Sequence, residues 1–440
     1  MGSLNGIKTR HVCFYKAAKV RPCELFASPQ TAILARLTQT YKTYAALFIL
    51  LAPIVCQVKK VQMISTAYPP WEAQLREQRF DAAHALAQTK AAATSPLRAT
   101  KLRTSPACIA TLHTPSYRTS QGNKQHTVSS VAFSRDGTML VSGTADDEEP
   151  PGGFLELWDL ASRDCVYVQN MRNKAITRVA TSSDGCTIAS IHDSIFCKKI
   201  QLWDFRCQDC PAAGMCAGPR YTCLCFSPNG ATLASGHYDL SLGKGVIRIW
   251  NVAGEAKMVP EMQGELVEGT GFVSAVAFSR DGERLASGST AKTVRVWDLR
   301  TNKCTACIES DSVVWSVVWS LDNVHVLFGC QDGMIRVCNI AKGVVRVLKG
   351  HSPRGQTYKE TICNEVISPG VHSLVLTPNG KHAVSGASDN TIKIWDWHSG
   401  ACMATLEDSE GVACVAVSPD GLMLASGTAD KLIRLWRVAD

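Results

Sequence analysis

The sequence predicts an all-β fold, a seven-bladed β-propeller preceded by a non-repeating extension, and three observations predict it. An alternating apolar run ending in Trp-Asp, or a variant of it, recurs seven times, with its key position at Trp158, Trp203, Trp250, Trp297, Cys338, Trp395 and Trp436. The steps between these positions are 45, 47, 47, 41, 57 and 41 residues, close to the period of propeller blades. Each run is preceded by two strand-like segments joined by one short turn.

The paired segments come first in each repeat. Val131–Gly143 (VAFSRDGTMLVSG) matches Leu224–Gly236 (LCFSPNGATLASG), Val276–Gly288 (VAFSRDGERLASG) and Val415–Gly427 (VAVSPDGLMLASG). Weaker copies read VATSSDGCTIASI, VVWSLDNVHVLFG and LVLTPNGKHAVSG. Alternation of apolar with small or polar residues marks half-buried strands. Asp-Gly or Asn-Gly between the segments supplies the positive φ that a tight hairpin needs. From the Ser or Thr before the turn to the apolar residue after it is six positions in all seven copies. Strands a and b therefore share one fixed turn, and strand c is the run ending at the key position.

These residues resemble the WD-repeat propeller family, over residues 106–440. The resemblance implies four-stranded antiparallel blades around a central channel. It also implies a ring closed by a strand from the other end of the chain. Ala107–Leu112 (ACIATL) nearly repeats Ala401–Leu406 (ACMATL). The second reads as the outer strand of blade six, so the first is expected to be the outer strand of blade seven. Members of the family often hold a blade with a buried Asp–His–Ser/Thr–Trp network. Blade six offers Ser385, Asp389 and Trp395, with His351 or His372 as donor, and blade seven offers Ser426, Asp430 and Trp436 without an obvious His. Blade four has Ala291 in the Asp place and blade five Cys338 in the Trp place. Structural roles thus fall to Trp158, Trp203, Trp250, Trp297, Trp395 and Trp436. Blades one to five are expected to depend more on apolar packing.

Nineteen cysteines invite a metal or disulfide reading. Cys207-x-x-Cys210 with Cys216, Cys223 and Cys225, or Cys304-x-x-Cys307, could be drawn as zinc sites. The register favours packing instead. Cys165, Cys210, Cys304 and Cys402 each lie six residues after the Asp of a Trp-Asp pair, and Cys223 and Cys414 share one strand-a position. Residues that recur at one place in separate blades cannot converge on one ion, and cysteine there is expected to serve as a small apolar side chain.

The irregularities point to a binding face. From the end of strand b to the start of strand c is 6 residues in blades four to seven, but 12, 9 and 11 in blades one, two and three. A further insertion, near 352–370, precedes blade six. In an antiparallel blade these b–c and d–a loops share one face, and loops on a rigid scaffold are where recognition concentrates. The candidate partner-binding residues there are Asp146, Asp147, Glu148 and Glu149 in blade one, Lys198 and Lys199 in blade two, and His237, Tyr238 and Lys244 in blade three.

The net charge of +8 is unevenly placed. Residues 1–105 carry 15 Lys and Arg against 4 Asp and Glu, and the remainder 31 against 34. A near-neutral body does not suit a phosphate-tracking groove. In the extension, Thr43–Val58 is apolar but short for a membrane span and interrupted by Pro53. Residues 1–62 fit an organelle transit segment in composition, or lie upstream of a translation start at Met63. Residues 71–93 are helix-rich, and 94–105 form a basic linker.

No Walker loop, His-Glu-x-x-His or nucleophile elbow is present. The expected function is a non-catalytic scaffold of a multiprotein complex, in the cytoplasm or nucleus, whose partners are other proteins or peptides. No cofactor, metal, small-molecule substrate or membrane contact is expected. Two alternatives stay open. Trp203-Asp204-Phe205-Arg206 and Trp297-Asp298-Leu299-Arg300 resemble the signature by which substrate receptors of cullin-type ubiquitin ligases engage their adaptor through Arg206 and Arg300. An RNA- or chromatin-associated scaffold is the other.

Overall fold

The computed structural model describes residues 107–438, apart from 115–117, 120–121, 124–126, 146–151, 172–173, 186, 194–198, 205–210, 217–220, 254–260 and 353–369. It shows seven four-stranded antiparallel sheets, the blades of a propeller. Blade one runs Thr127–Phe133, Met139–Ala145, Phe154–Asp159 and Cys165–Asn170, paired in chain order as strands a to d. Blades two to six repeat this order. Blade seven takes strands a to c from Val412–Val417, Met423–Thr428 and Leu432–Arg437, and its outer strand is Ala107–His113. That strand pairs antiparallel with Leu432–Arg437, in the register Ala107 to Arg437 and His113 to Leu432. Before blade one, Arg118–Thr119 pairs antiparallel with Gly122–Asn123, a ladder too short to leave a pattern in the sequence.

The a–b turns follow from their residues. Gly137, Gly185, Gly230, Gly282, Gly380 and Gly421 all have φ between 70° and 76°, and in blade five Asn323 takes this place with φ of 58°. Asn is the non-glycine residue that tolerates this region best.

The core lies between blades. Each of seven apolar clusters joins two neighbours. Trp297 of blade four packs on Ile247 and Val273 between blades three and four, and Trp436 of blade seven packs on Ile392 and Ile394 of blade six. A strand-b glycine lets the next blade come close. A Cβ at Gly288 would lie 2.6 Å from a methyl of Val314, and Gly329, Gly386 and Gly427 meet Val371, Val412 and Val128 in the same way.

Hydroxyls stitch the inner strands together. Ser274 Oγ donates to the carbonyl of Gly288 in its own blade at 2.9 Å and to that of Val314 in the next. Ser316 and Ser373 accept from the backbone N–H of Leu374 and Val415 at 3.0 and 3.1 Å.

Candidate functional site

Chain order fixes which loops share a face: b–c and d–a loops lie on one, a–b and c–d turns on the other. Of the three long b–c connections, that of blade three lies wholly within the described residues. Its strand b extends to Asp239 and its strand c starts at Lys244, so His237, Tyr238 and Asp239 pair with Val246, Gly245 and Lys244. The longer b–c distance is therefore an extended hairpin. Asp239 shapes its tip by accepting from the backbone N–H of Ser241 at 2.8 Å and of Leu242 at 3.1 Å. Tyr238 stacks on Phe272 of the neighbouring d–a loop at 4.3 Å. The tip exposes Leu240 at 58% and Leu242 at 52%, with exposed Lys244 beside them.

The sequence missed both leucines, because the surrounding polar residues drew the reading. His237 also requires correction as a surface residue: it is 1% exposed inside the extended hairpin. Burial, with the charge of Arg248, lowers its pKa to about 4. Lys199 begins strand c of blade two and is half-buried. Asp146, Asp147, Glu148, Glu149, Lys198, Arg206 and the insertion at 353–369 lie outside the described residues, as do residues 1–105 with their expected helix and linker.

Trp203 and Trp297 are buried blade residues, 7% and 5% exposed. Asp298 accepts from the backbone N–H of Arg300 and Thr301, both at 2.9 Å. The Asp of this Trp-Asp pair thus caps the c–d turn, which places Arg300 on the face opposite the inserted loops.

The networks inside the blades differ from expectation in a systematic way. Six tryptophans donate through Nε1 to a strand-b serine: Trp158 to Ser142, Trp203 to Ser190, Trp250 to Ser235, Trp297 to Ser287, Trp395 to Ser385 and Trp436 to Ser426, at 2.7 to 3.0 Å. What holds the serine varies. In blade six it is His351, whose Nε2 lies 2.7 Å from Ser385 Oγ and whose Nδ1 lies 3.1 Å from Asp389. Burial opposes ionisation of Asp389, but its hydrogen bonds and the charge of His351 prevail and hold its pKa at about 2. In blade seven Ser426 donates to Asp408 at 3.1 Å, and in blade four Ser287 donates to Glu268. Both acids come from the end of the preceding blade's outer strand and pair with Arg434 and Arg295. Asp430 binds Arg434 at 2.6 Å and leaves Ser426 to Asp408. In blade one Ser142 donates to Glu156 at 2.8 Å, and in blade two Ser190 lies 2.7 Å from His192 Nε2.

The expectation that blades one to five lean on apolar packing therefore needs correction for one, two and four. It holds for blade five. There Phe328 stands opposite Arg336, in the place of the serine, and Cys338 stands in the place of Trp. Both are fully buried in one cluster with Trp319. Donor and acceptor have been lost together, which leaves neither unpaired.

The cysteines divide. Cys223 and Cys414 are buried. Cys108, Cys304 and Cys402 are exposed, so the packing reading fails for them, whereas half-buried Cys165 packs on the cluster between blades seven and one. Each of these four sits opposite a strand-c tryptophan beside a register shift. Each thiol also points to the carbonyl two residues on, at 3.3 to 3.5 Å. All four stand at a β-bulge, a place that Met262 holds in blade three. Among the described residues no cluster of His, Cys, Asp or Glu could hold a metal. Cys207 and Cys210, and the side chain of Cys216, lie outside the described part.

Inside the ring, strand a of every blade lines a central cavity of about 160 Å³. Arg178, Trp315 and His372 are among its lining residues. His372, one of two candidates for the blade-six donor, faces this cavity, and His351 fills the network role.

A closed ring of seven four-stranded blades, with a Trp-Asp strand at most of its interfaces, defines a repeat propeller. The chain belongs to the WD-repeat family: the model of the WD domain, G-beta repeat, matches residues 114–148, 217–251, 261–298, 363–396 and 400–437. The chain is 23% identical over 159 residues to human cilia- and flagella-associated protein 52, covering 36% of this chain and 23% of that one. It is 24% identical over 162 residues to Drosophila melanogaster protein groucho, covering 36% and 20%. To the guanine nucleotide-binding protein subunit beta-5b of Danio rerio it is 31% identical over 125 residues, 28% of each chain. The match thus spans about a fifth to under a third of these relatives' length. Among the described residues no helix is long and apolar enough to cross a membrane.

Proposed function

We propose that the protein is a non-catalytic interaction scaffold that holds other proteins or peptides on the loop-bearing face of its propeller, in the cytoplasm or nucleus. One observation carries this reading. The hairpin tip of blade three presents Leu240 and Leu242, 58% and 52% exposed, on a turn fixed by Asp239 and braced by the Tyr238–Phe272 stack. Two leucines held half-exposed in water gain from burial against a partner, roughly 1–1.5 kcal/mol each when the remaining surface is covered. The neighbouring lysine suits a polar rim. The relatives include one named as a subunit, of a guanine nucleotide-binding protein, which accords with a role in an assembly.

The test is affinity capture with the full-length chain and its Leu240→Ser/Leu242→Ser variant. The control is Val344→Ser, on an exposed outer strand. Partners are expected to be lost with the double variant and kept with the control. The same partners, recovered in the same amounts by both variants, would contradict the reading.

A further inference from the structure

The outer edges of the blades are not alike. In six blades the strand-c tryptophan stands opposite the outer strand at a register shift: Trp158, Trp203, Trp250, Trp297, Trp395 and Trp436. Each of those edges is bulged. Blade five, with Cys338 in place of the tryptophan, has no bulge. Its outer strand Val344–Leu348 pairs with Ile335–Asn339 over five consecutive residues without a shift. A bulge twists an edge strand and breaks the row of N–H and C=O groups that it turns outward, which hinders pairing with another chain. Blade five lacks that protection along with its tryptophan. Among the described residues, the main chain of 344–348 makes no hydrogen bond outside its ladder with strand c.

The side chains of this edge also stand apart. Val344, Val345 and Val347 are 61%, 39% and 38% exposed, and no other described outer strand exposes more than two large apolar side chains. Strand alternation sorts them. Leu348 is buried in the cluster with Val371 and Trp395 of blade six, and Arg346 donates to the carbonyl of His398 in the same blade. Val344, Arg346 and Leu348 thus lie on the side of blade six, and Val345 and Val347 on the side of blade four. Lys342, Arg346 and Lys349 bring three positive charges to residues 342–349, which hold no acid. None of the three has an ion pair among the described residues.

We propose that the edge of blade five binds an extended acidic segment of a partner protein as a fifth strand. The main chain supplies the ladder and the side chains supply the selection. The segment places an acid opposite Arg346 and apolar residues on either side of it, opposite Val345 and Val347. Flanking acids lie near Lys342 and Lys349. Opposite charges that face each other across strands are favourable, and like charges are not. A second copy of this chain is therefore the wrong occupant, because self-pairing sets cation against cation with no acid on either strand. The edge lies on the rim of blade five and acts independently of Leu240 and Leu242 in blade three. Val344→Ser keeps the ladder, Arg346 and the Val345–Val347 side, and leaves this edge competent.

The probe is a fluorescein-labelled peptide, Thr-Glu-Val-Glu-Val-Glu-Thr, titrated into the full-length chain and followed by anisotropy, with amide hydrogen exchange read by mass spectrometry. Saturable binding is expected, with slowed exchange over 344–348 and no change in Ala401–Glu407, the bulged outer strand of blade six. Thr-Glu-Pro-Glu-Pro-Glu-Thr keeps the charge and lacks two main-chain donors, and it is expected to bind at least tenfold more weakly. Arg346→Glu is expected to weaken binding of the first peptide at least tenfold, and Thr-Glu-Val-Lys-Val-Glu-Thr to recover it. If circular dichroism shows that this variant is unfolded, Arg346→Gln replaces it with the same loss expected. Equal binding of the valine and proline peptides reveals a contact of charge alone and overturns the fifth strand. No saturable binding, or binding without protection of 344–348, overturns it too. Full protection of 344–348 before any peptide is added shows the edge already covered, by another part of the chain or, where the chain sediments as a dimer, by a second copy, and also overturns the proposal.

Discussion

Trp436 and Cys108 face each other across paired strands drawn from opposite ends of the propeller. The same facing of tryptophan and cysteine occurs inside blades one, four and six, at Trp158 and Cys165, Trp297 and Cys304, and Trp395 and Cys402. The closing strand is thus a full structural equivalent of an ordinary outer strand, bulge and thiol included.

Closure should therefore be measurable at Leu112. It is 2% exposed and packs in the cluster that joins blades seven and one, with Val128, Trp158 and Ile433. Leu112→Ala is expected to cost about 2–5 kcal/mol in urea unfolding followed by tryptophan fluorescence. Met403→Ala, at a 60% exposed outer-strand position of blade six, should stay within about 0.5 kcal/mol of the parent. Equal losses would show that the closing strand contributes no more than an exposed one.

Phe328 and Cys338 of blade five should behave as a coupled exchange. Cys338→Trp alone overfills a packed site, at a cost of about 1–3 kcal/mol. Phe328→Ser alone removes a buried ring, costing about 3–5 kcal/mol. The double variant recreates the serine–tryptophan pair of the other blades. It should be less destabilised than the sum of the two by at least about 1 kcal/mol in a double-mutant cycle. Additivity would mean that the hydrogen bond does not form there.

Glu156 should make stability depend on pH. It is fully buried, and burial raises its pKa from 4.5 to about 7 against the opposing hydrogen bond from Ser142. The folded state therefore holds the proton more tightly than the unfolded one. The group's favourable contribution is complete below pH 4.5 and is lost as pH rises through 7. Relative to the parent, Glu156→Gln should gain stability between pH 4.5 and 7, by up to about 3 kcal/mol. A pH-independent difference between the two, read from denaturation midpoints, would refute the assignment.

The repeat, the turn and the tryptophan positions could be read from the sequence because each is a local pattern with a fixed period. The partners of the serines could not. Glu156 occupies the strand-c position held elsewhere by Gln201, Arg248, Arg295, Arg336, Lys393 and Arg434, where a polar residue reads as solvent-facing. Glu268 and Asp408 reach their serines from the preceding blade, a relation that exists only once the ring is built. The outer-strand cysteines recur at a bulge, a place that Met262 holds in blade three, and a bulge leaves no mark in a hydrophobic pattern. The sequence places His237 in a loop because an extra residue count looks the same whether it lengthens a hairpin or a coil. Arg178, Trp315 and His372 come from blades two, five and six, and only the curvature of the ring brings them to one cavity.

The seam between Ala107–His113 and Leu432–Arg437 also sets how the molecule assembles. Every other strand pair joins neighbours in the chain, so blades one to six can form by local encounters. The seam must bring together segments separated by almost the whole propeller, and the entropy of closing so long a loop is met in that one step. Long-range pairing of this kind slows folding. The seam is therefore expected to form last during folding, and its edge, with the exposed Cys108, is the part that a nascent or refolding chain presents longest to its surroundings.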